Sequence, residues 1–228
     1  MQYREFPDFR LLGLETANLL KEHFSVNLDT GHAVILPGGN TPLAVYEMLK
    51  SDPPRIDREL HVILSDERYV PMESPKSNYH RVKGLLDSVD IPESCRLTVD
   101  TNLDLNVAAA TFDGKISSFF SSGGRITLAL LGLGTDGHTA SLFTERDLQD
   151  SGGKNAIVVN GPDGLERVSL APAVIRAAGK IIFLAAGPDK SSVVEKFCNS
   201  PVDTVAGKAV AGGPEAEMWY SFKSPQVV

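Results

Sequence analysis

The chain has 228 residues, of which 42% are hydrophobic, and a formal net charge of −7. The acidic balance argues against a nucleic-acid groove, which needs a basic face, but it allows a locally positive pocket for a small anion. The segment MQYREFPDFR has no apolar signal region, and no apolar run reaches the ~20 residues that span a bilayer. Cys95 and Cys198 form no metal-binding or disulfide pattern. We therefore expect a cytoplasmic protein with no metal, no nucleic-acid partner and no membrane partner.

The first half of the chain alternates predicted helices and strands. Apolar spacing over residues 11–24 predicts an amphipathic opening helix. HAVIL (32–36) predicts a buried strand that PGGN closes, and Thr41 as N-cap with Pro42 at the first helical position predicts the next helix. The pattern then predicts strands at LHVIL (60–64), RLTVD (96–100) and ITLALL (126–131), and a helix from about Asn106 to Phe120.

The second half continues the alternation. Strands are predicted at AIVVN (156–160), RVSLA (167–171), KIIFLAA (180–186) and EMWYSF (217–222), and helical segments at PAVIRAA (172–178) and GPDKSSVVEKF (187–197). Continuous apolar strands between helices indicate a mostly parallel sheet covered on both faces. We predict one three-layer α/β domain over residues 1–228.

Polar motifs follow four of these strands. PGGNT follows the first, SDER the second, GTDGH the fourth, and AAGPDK a later one. In open parallel sheets the ligand site lies beyond the carboxyl ends of the strands. The sequence therefore predicts a functional site at that edge of the sheet.

The segment LGLGTDGHTASLF (131–143) allows several interpretations. Its spelling matches the dinucleotide fingerprint G-x-G-x-x-G, but no acidic residue follows about 20 residues later at the end of a next strand, as that fingerprint requires. His138 alone could be a turn residue bonded to backbone. Asp136, two residues earlier on a glycine-flexed loop, could orient the imidazole for acid–base chemistry.

PGGNTP is either a simple turn with a helix cap or an anion cradle. Glycines permit close backbone approach, and a helix N-terminus supplies free N–H groups and a positive dipole end. The segment lacks the lysine of a nucleotide P-loop. Three cations near predicted strand ends, Arg68, Arg167 and Lys190, could join it around a phosphate.

Together these motifs resemble the glucosamine-6-phosphate isomerase/6-phosphogluconolactonase family, and most closely its lactonase members. PGGNTPLAVYEML is similar to the family's phosphate loop, and SDERYVPMESPKSNY to its D-E-R-x-V-P segment followed by Ser-Asn. LGLGTDGHTASLF resembles its D-G-H-T-A-S-L-F motif. Arg167 and Lys190 fall where the family has its later arginine and lysine.

The resemblance implies a Rossmann-like fold and a cytoplasmic carboxylic ester hydrolase of the oxidative pentose phosphate pathway, without a cofactor. Its substrate would be a small phosphorylated sugar lactone, 6-phospho-D-glucono-1,5-lactone, and the enzyme a monomer or weak homo-oligomer. His138 would be the general base and Asp136 would orient it. The implied substrate- and phosphate-binding residues are Gly38, Gly39, Asn40, Thr41, Asp66, Arg68, Asn78, Arg167 and Lys190.

The chain departs from the family pattern after Phe143, where Thr144 replaces a frequent proline, and at VAGKAVAGG (205–213), which replaces a proline-led segment. The last strand also lacks the family's common terminal aspartate. Other functions remain open at this point: a glucosamine-6-phosphate deaminase, a related sugar-phosphate isomerase, or a non-catalytic phosphosugar-binding module. Asp136 and His138 argue against a pure binding module, because binding needs cations but no base.

Overall fold

The computed structural model describes residues 1–149 and 152–225. The strands are β1 (Gln2–Phe6), β2 (His32–Leu36), β3 (Leu60–Leu64), β4 (Asp66–Arg68), β5 (Arg96–Leu97), β6 (Arg125–Gly132), β7 (Ala156–Asn160), β8 (Glu166–Leu170), β9 (Ile181–Ala186) and β10 (Ala216–Ser221). The α-helices are α1 (Phe9–Ser25), α2 (Asn40–Ser51), α3 (Asn78–Ser88), α4 (Leu105–Ser121), α5 (Pro172–Arg176), α6 (Ser191–Asn199) and α7 (Val205–Val210).

Seven strands form a central sheet in the order β1-β10-β9-β6-β2-β3-β5, and every neighbouring pair is parallel. Alternate residues of β2 point to opposite faces of the sheet. Ala33 and Ile35 belong to the core on the side of α4 to α7, whereas Val34 and Leu36 belong to the core on the side of α1 to α3. All four side chains are fully buried, which explains why the sequence of the strand is continuously apolar. The prediction of an α/β fold with a mostly parallel sheet and helices on both faces is confirmed.

A second, three-stranded antiparallel sheet, in the order β4-β8-β7, was not predicted. The sequence placed RVSLA and AIVVN in the main alternation, and that placement is wrong. Both segments are strands, but they belong to this second sheet, and Asp66–Arg68 of SDER form its third strand. No helix separates β7 from β8; a short connection with Gly161 and Gly164 joins them, and Gly164 has a φ of +78°. A short glycine-containing connection returns the chain antiparallel, whereas a parallel partner needs a long crossover.

Smaller differences concern element ends. The predicted N-cap at Thr41 is wrong, because α2 begins at Asn40 with Gly39 as its N-cap. Pro42 still fits, since the first-turn N–H groups of a helix have no intrahelical acceptor and proline loses no bond there. RLTVD contributes only Arg96–Leu97 as strand. No helix within the described ranges is long and apolar enough to cross a membrane.

Candidate active site

A cleft of about 200 Å³ lies beyond the carboxyl ends of β2 and β6. It gathers most of the residues implied by the sequence motifs: Gly38, Gly39, Asp66, Arg68, Asn78, His138, Arg167 and Lys190. Asn40, Thr41 and Asp136 do not line it. The four motif-bearing loops, far apart in sequence, thus meet at one edge of the sheet.

The pair Asp136 and His138 is built by the glycine loop after β6. Oδ1 of Asp136 lies 2.5 Å from Nδ1 of His138 and also accepts the His138 backbone N–H at 3.2 Å. Both side chains fold over Gly134, where a Cβ would lie 2.2 Å from His138 Nδ1 and 2.5 Å from Asp136 Oδ1. A glycine is therefore required beneath the pair.

Asp136 and His138 have different roles in this pair. Partial burial acts to raise the pKa of the Asp136 carboxyl, but the charge and hydrogen bonds of His138 lower that pKa overall. An ionised Asp136 fixes Nδ1 as the ring nitrogen that carries a proton, which leaves Nε2 available to a water or substrate.

Arg68 and Arg167 lie directly opposite each other on the antiparallel strands β4 and β8. Arg68 donates from Nη1 to the Lys76 carbonyl at 2.9 Å, and Arg167 donates from Nη2 to Asp163 Oδ2 at 2.7 Å. The Nε atoms of both arginines are buried and have no hydrogen-bond partner in the described part of the protein. Like charges in directly opposed positions are unfavourable, and an anion between them would reverse that cost.

Lys190 adds a third cation to the cleft. It directly precedes α6, and its Nζ donates to the Leu133 carbonyl at 2.8 Å. Burial lowers the pKa of the Lys190 amine, while Asp189 and Asp136 act in the opposite direction. A bound anion would favour the charged form of this amine.

Asp66 and Asn78 form a hydrogen-bonding wall of the cleft. Asp66 accepts from Ser65 Oγ at 2.7 Å and from Ser141 Oγ at 2.6 Å, so each of its carboxylate oxygens already has a donor. Asn78 donates from Nδ2 to the Asp66 carbonyl at 2.9 Å, while its buried Oδ1 has no partner among the described residues. A Cβ at Gly38 would lie 2.3 Å from that Oδ1, so Asn78 packs directly on the glycine backbone.

The sequence analysis missed Glu67, which stabilises the wall formed by Asp66 and Asn78 through hydrogen bonds to the neighbouring backbone. Its carboxylate accepts from Ser77 Oγ and from the backbone N–H groups of Arg68, Asn78 and Tyr79. Burial raises the pKa of Glu67 to about 7, although the backbone hydrogen bonds oppose the shift. Glu67 thereby ties β4 to the N-terminus of α3, which carries Asn78. Period-2 alternation between Asp66 and Arg68 was the available signal that Glu67 faces the other way.

Arg81 is another cation that the sequence motifs did not indicate. It lies on α3 and donates to Oδ1 of Asn40 at the start of α2. Burial lowers the pKa of Arg81, and the charge of Arg68 acts in the same direction. Its contact links α3 to the PGGNT segment.

The divergent segment 205–213 supports the histidine loop. Residues Val205–Val210 form α7, and the backbone N–H of Ala206 donates to the Gly137 carbonyl at 2.8 Å. Lys208 forms an ion pair with Glu145, beyond the other end of the loop.

No group of three or more His, Cys, Asp or Glu side chains in residues 1–149 and 152–225 is arranged to hold a metal ion.

The chain is similar to known proteins over most of its length. The family model described as glucosamine-6-phosphate isomerases/6-phosphogluconolactonase matches residues 14–218. A 6-phosphogluconolactonase from Thermotoga maritima is 33% identical over 194 residues, covering 83% of this chain and 84% of that protein. One from Synechocystis sp. is 37% identical over 191 residues, covering 81% and 79%.

A crystal structure of 6-phosphogluconolactonase from Thermotoga maritima superposes with a TM-score of 0.77 at 27% identity, covering 96% of this chain and 98% of that one. The family match spans every loop that contributes to the cleft. The chain belongs to the glucosamine-6-phosphate isomerase/6-phosphogluconolactonase family.

Proposed function

We propose that this chain hydrolyses 6-phospho-D-glucono-1,5-lactone to 6-phospho-D-gluconate, a step of the oxidative pentose phosphate pathway. The observation that carries the proposal is the His138–Asp136 pair adjoining a cleft that also contains the opposed Arg68 and Arg167. A base beside a cationic pocket suits an ester with a phosphate at its far end. The lactonase names of the relatives that cover most of this chain support the same activity here.

His138 acts as the general base in this reaction. Asp136 holds Nδ1, so Nε2 accepts a proton from water. The water oxygen bonds to the lactone carbonyl carbon, and the carbonyl electron pair moves onto oxygen. Hydrogen-bond donors of the cleft stabilise that oxyanion. When the bond from carbon to the ring oxygen breaks, protonated His138 returns the proton to the ring oxygen, which becomes a hydroxyl group.

The phosphate binds the backbone near Gly38 and Gly39 together with the side chains of Arg68, Arg167 and Lys190. The N-terminus of α2 presents free N–H groups and a positive dipole end to an anion. Asp66 and Asn78 accept hydrogen bonds from hydroxyl groups of the sugar. The unpartnered Oδ1 of Asn78 supports that assignment, because a buried acceptor without a donor is costly until a ligand supplies one.

The alternative within the family is deamination of glucosamine 6-phosphate. That reaction moves a proton between two carbons and expels ammonia, so it needs several acid–base groups. The resembling deaminases carry Asn-Glu-Pro after the D-G-H segment, where this chain has Leu142, Phe143 and Thr144. Asp66 could abstract a proton, but a serine hydroxyl already donates to each of its two carboxylate oxygens.

A non-catalytic phosphosugar module is the other alternative. It would need the cations of the cleft but not a carboxylate-oriented imidazole. Single-domain organisation over residues 1–228, cytoplasmic location and a monomeric or weakly associating state stay predictions from the sequence.

Kinetics of matched histidine variants test the proposal. His138→Ala should lower kcat for fresh lactone by about 10²–10⁴-fold after correction for spontaneous hydrolysis. His80→Ala, at an exposed position of α3, is the control and should retain wild-type turnover. Equal turnover by the two variants would place the base elsewhere.

A further inference from the structure

Phe143 lies between two side chains to which the proposed function assigns different tasks. Its ring centroid is 4.6 Å from that of His138, with the planes inclined at 51°. The guanidinium carbon of Arg167 lies 5.3 Å from the centroid of the same ring. One aromatic ring therefore contacts both the base and a cation of the phosphate pocket.

The backbone at Phe143 is held in place from both sides. Its N–H donates to Oδ2 of Asp147 at 3.0 Å, and the same oxygen accepts the N–H and hydroxyl of Thr144. Leu142, directly before it, is fully buried. The ring is thus a fixed support, although Phe143 itself is only partly buried.

The guanidinium of Arg167 has little freedom on its remaining sides. Asp163 pairs with Nη2, and a Cβ at Gly161 would lie 2.4 Å from Nε. Arg167 is 7% exposed. Asp163 and the backbone of Gly161 restrict the guanidinium of Arg167 on two sides. The Phe143 ring limits its position on the side that faces His138.

We propose that Phe143 is a positioning residue that sets the separation between the phosphate-binding Arg167 and the base His138, and so favours lactones that carry a phosphate. This inference rests on the proposed function. Cation–π attraction holds the guanidinium at the ring, and the tilted ring–ring contact restrains the imidazole. A substrate whose phosphate reaches Arg167 then presents its carbonyl at a defined distance to the His138 water.

Two variants that lack the ring, Phe143→Leu and Phe143→Met, test the inference against Phe143→Tyr, which retains it. Both ring-free variants should raise KM for the phosphorylated lactone about 3- to 10-fold and lower kcat about 10-fold, whereas Phe143→Tyr should stay within about 2-fold of wild type. Melting temperatures of all variants identify any that fail to fold, and the methionine variant, with its adaptable side chain, carries the test if the leucine variant unfolds.

Two further arms separate positioning from general damage. In an Arg167→Ala background, Phe143→Leu should change KM by less than about 2-fold while its kcat loss persists, because the guanidinium contact is already absent. With unphosphorylated glucono-1,5-lactone, Phe143→Leu should lower kcat but leave KM unchanged. Independent, multiplicative effects of the two substitutions on KM, or equal effects of leucine and tyrosine, would overturn the inference.

Failure of this inference differs from failure of the proposed function. If wild-type protein turns over the lactone and the ring-free variants match it, only the role of Phe143 is wrong. If wild-type protein gives no lactone turnover, the proposed function is wrong. The affinity for inorganic phosphate, measured by calorimetry, reports on phosphate binding by Arg167 independently of turnover. This affinity should be weaker in Phe143→Leu than in Phe143→Tyr.

Discussion

Arg68 and Arg167 occupy directly opposed positions on β4 and β8, so both side chains lie on the same face of this strand pair. Asp163 pairs with Arg167, but the Nε atoms of both arginines lack a partner among the described residues. Such a pair is stable only with a neighbouring anion or at a cost to the free protein. The phosphate of a substrate meets that demand.

Removing either arginine should weaken phosphate binding. Charge-assisted hydrogen bonds contribute about 1.5–3 kcal/mol, so Arg167→Ala should raise KM for the phosphorylated lactone about 10-fold or more. Inorganic phosphate should raise the melting temperature of wild-type protein, and by less in Arg68→Ala and Arg167→Ala. Arg58→Ala, an exposed arginine before β3, is the control. Wild-type KM in both pocket variants would contradict the phosphate assignment.

Gly134→Ala should disable the base without removing it. The new Cβ would lie 2.2 Å from Nδ1 of His138, so the imidazole must move away from Asp136. We expect kcat to fall by about 100-fold, as a base displaced by about 1 Å loses alignment, with a smaller change in KM. Gly114→Ala in α4 is the matched control, since beyond its chain neighbours and the backbone of its own helix no atom lies within 4 Å of the Cβ position. Retained kcat in Gly134→Ala would contradict the proposed geometry of the pair.

Stability should depend on the protonation of Glu67. Burial, with a contribution from Asp66, raises its pKa from the ordinary 4.5 to about 7 against the pull of backbone hydrogen bonds. The folded state therefore holds this proton more tightly than the unfolded state. Its stabilising effect is fully present below about pH 4.5 and is lost as the pH rises to about 7.

The measurement is the free energy of unfolding of wild type minus that of Glu67→Gln, whose side chain does not titrate. This difference should fall by on the order of 2–3 kcal/mol between those two pH values. A difference that is flat or rises over the same range would show that the carboxylate is ionised throughout, held by its four donors.

His32 should act in the opposite direction. It is fully buried at the start of β2, and neither ring nitrogen has a hydrogen-bond partner in the described residues. Burial lowers its pKa below the ordinary 6.5, although Asp57, 3.9 Å away, opposes the shift. The folded state favours neutral His32, so its contribution is present above about pH 6.5 and is lost as the pH falls.

The test compares urea unfolding at neutral and acidic pH. Wild type should lose more stability than His32→Leu on acidification, while exposed His80→Leu should follow wild type. If His32→Leu and wild type lose stability equally, protonation of His32 does not contribute to acid sensitivity.

The sequence predicted the inner strands of the central sheet because they are mostly apolar runs, but it missed the exposed edge strand β1, QYREF. HAVIL and LHVIL match the observed bounds of β2 and β3 in that sheet. The three-residue strand β4 was missed because it depends on pairing with β8, about a hundred residues later in the chain. Helix α3 was also missed, since polar residues dominate its spelling, NYHRVKGLLDS, and its start depends on Ser77 and Glu67.

The candidate site was predictable where a residue follows a strand of the parallel sheet. Gly38, Asp136, His138 and Lys190 all lie in such positions. Phe143 and Glu67 were not predictable, because their roles depend on contacts across the fold rather than on spacing. Phe143 contacts Arg167, 24 positions later in the chain, so the contact depends on the tertiary fold.

The central claim is lactone hydrolysis, and one experiment with a single purified preparation tests it most directly. The initial rate of hydrolysis of fresh 6-phospho-D-glucono-1,5-lactone is measured above the spontaneous rate, alongside ammonia release from glucosamine 6-phosphate. We predict rapid lactone turnover that His138→Ala lowers by about 10²–10⁴-fold, and no enzymatic ammonia release. Lactone loss at only the spontaneous rate, or ammonia release at a comparable rate, would contradict the account.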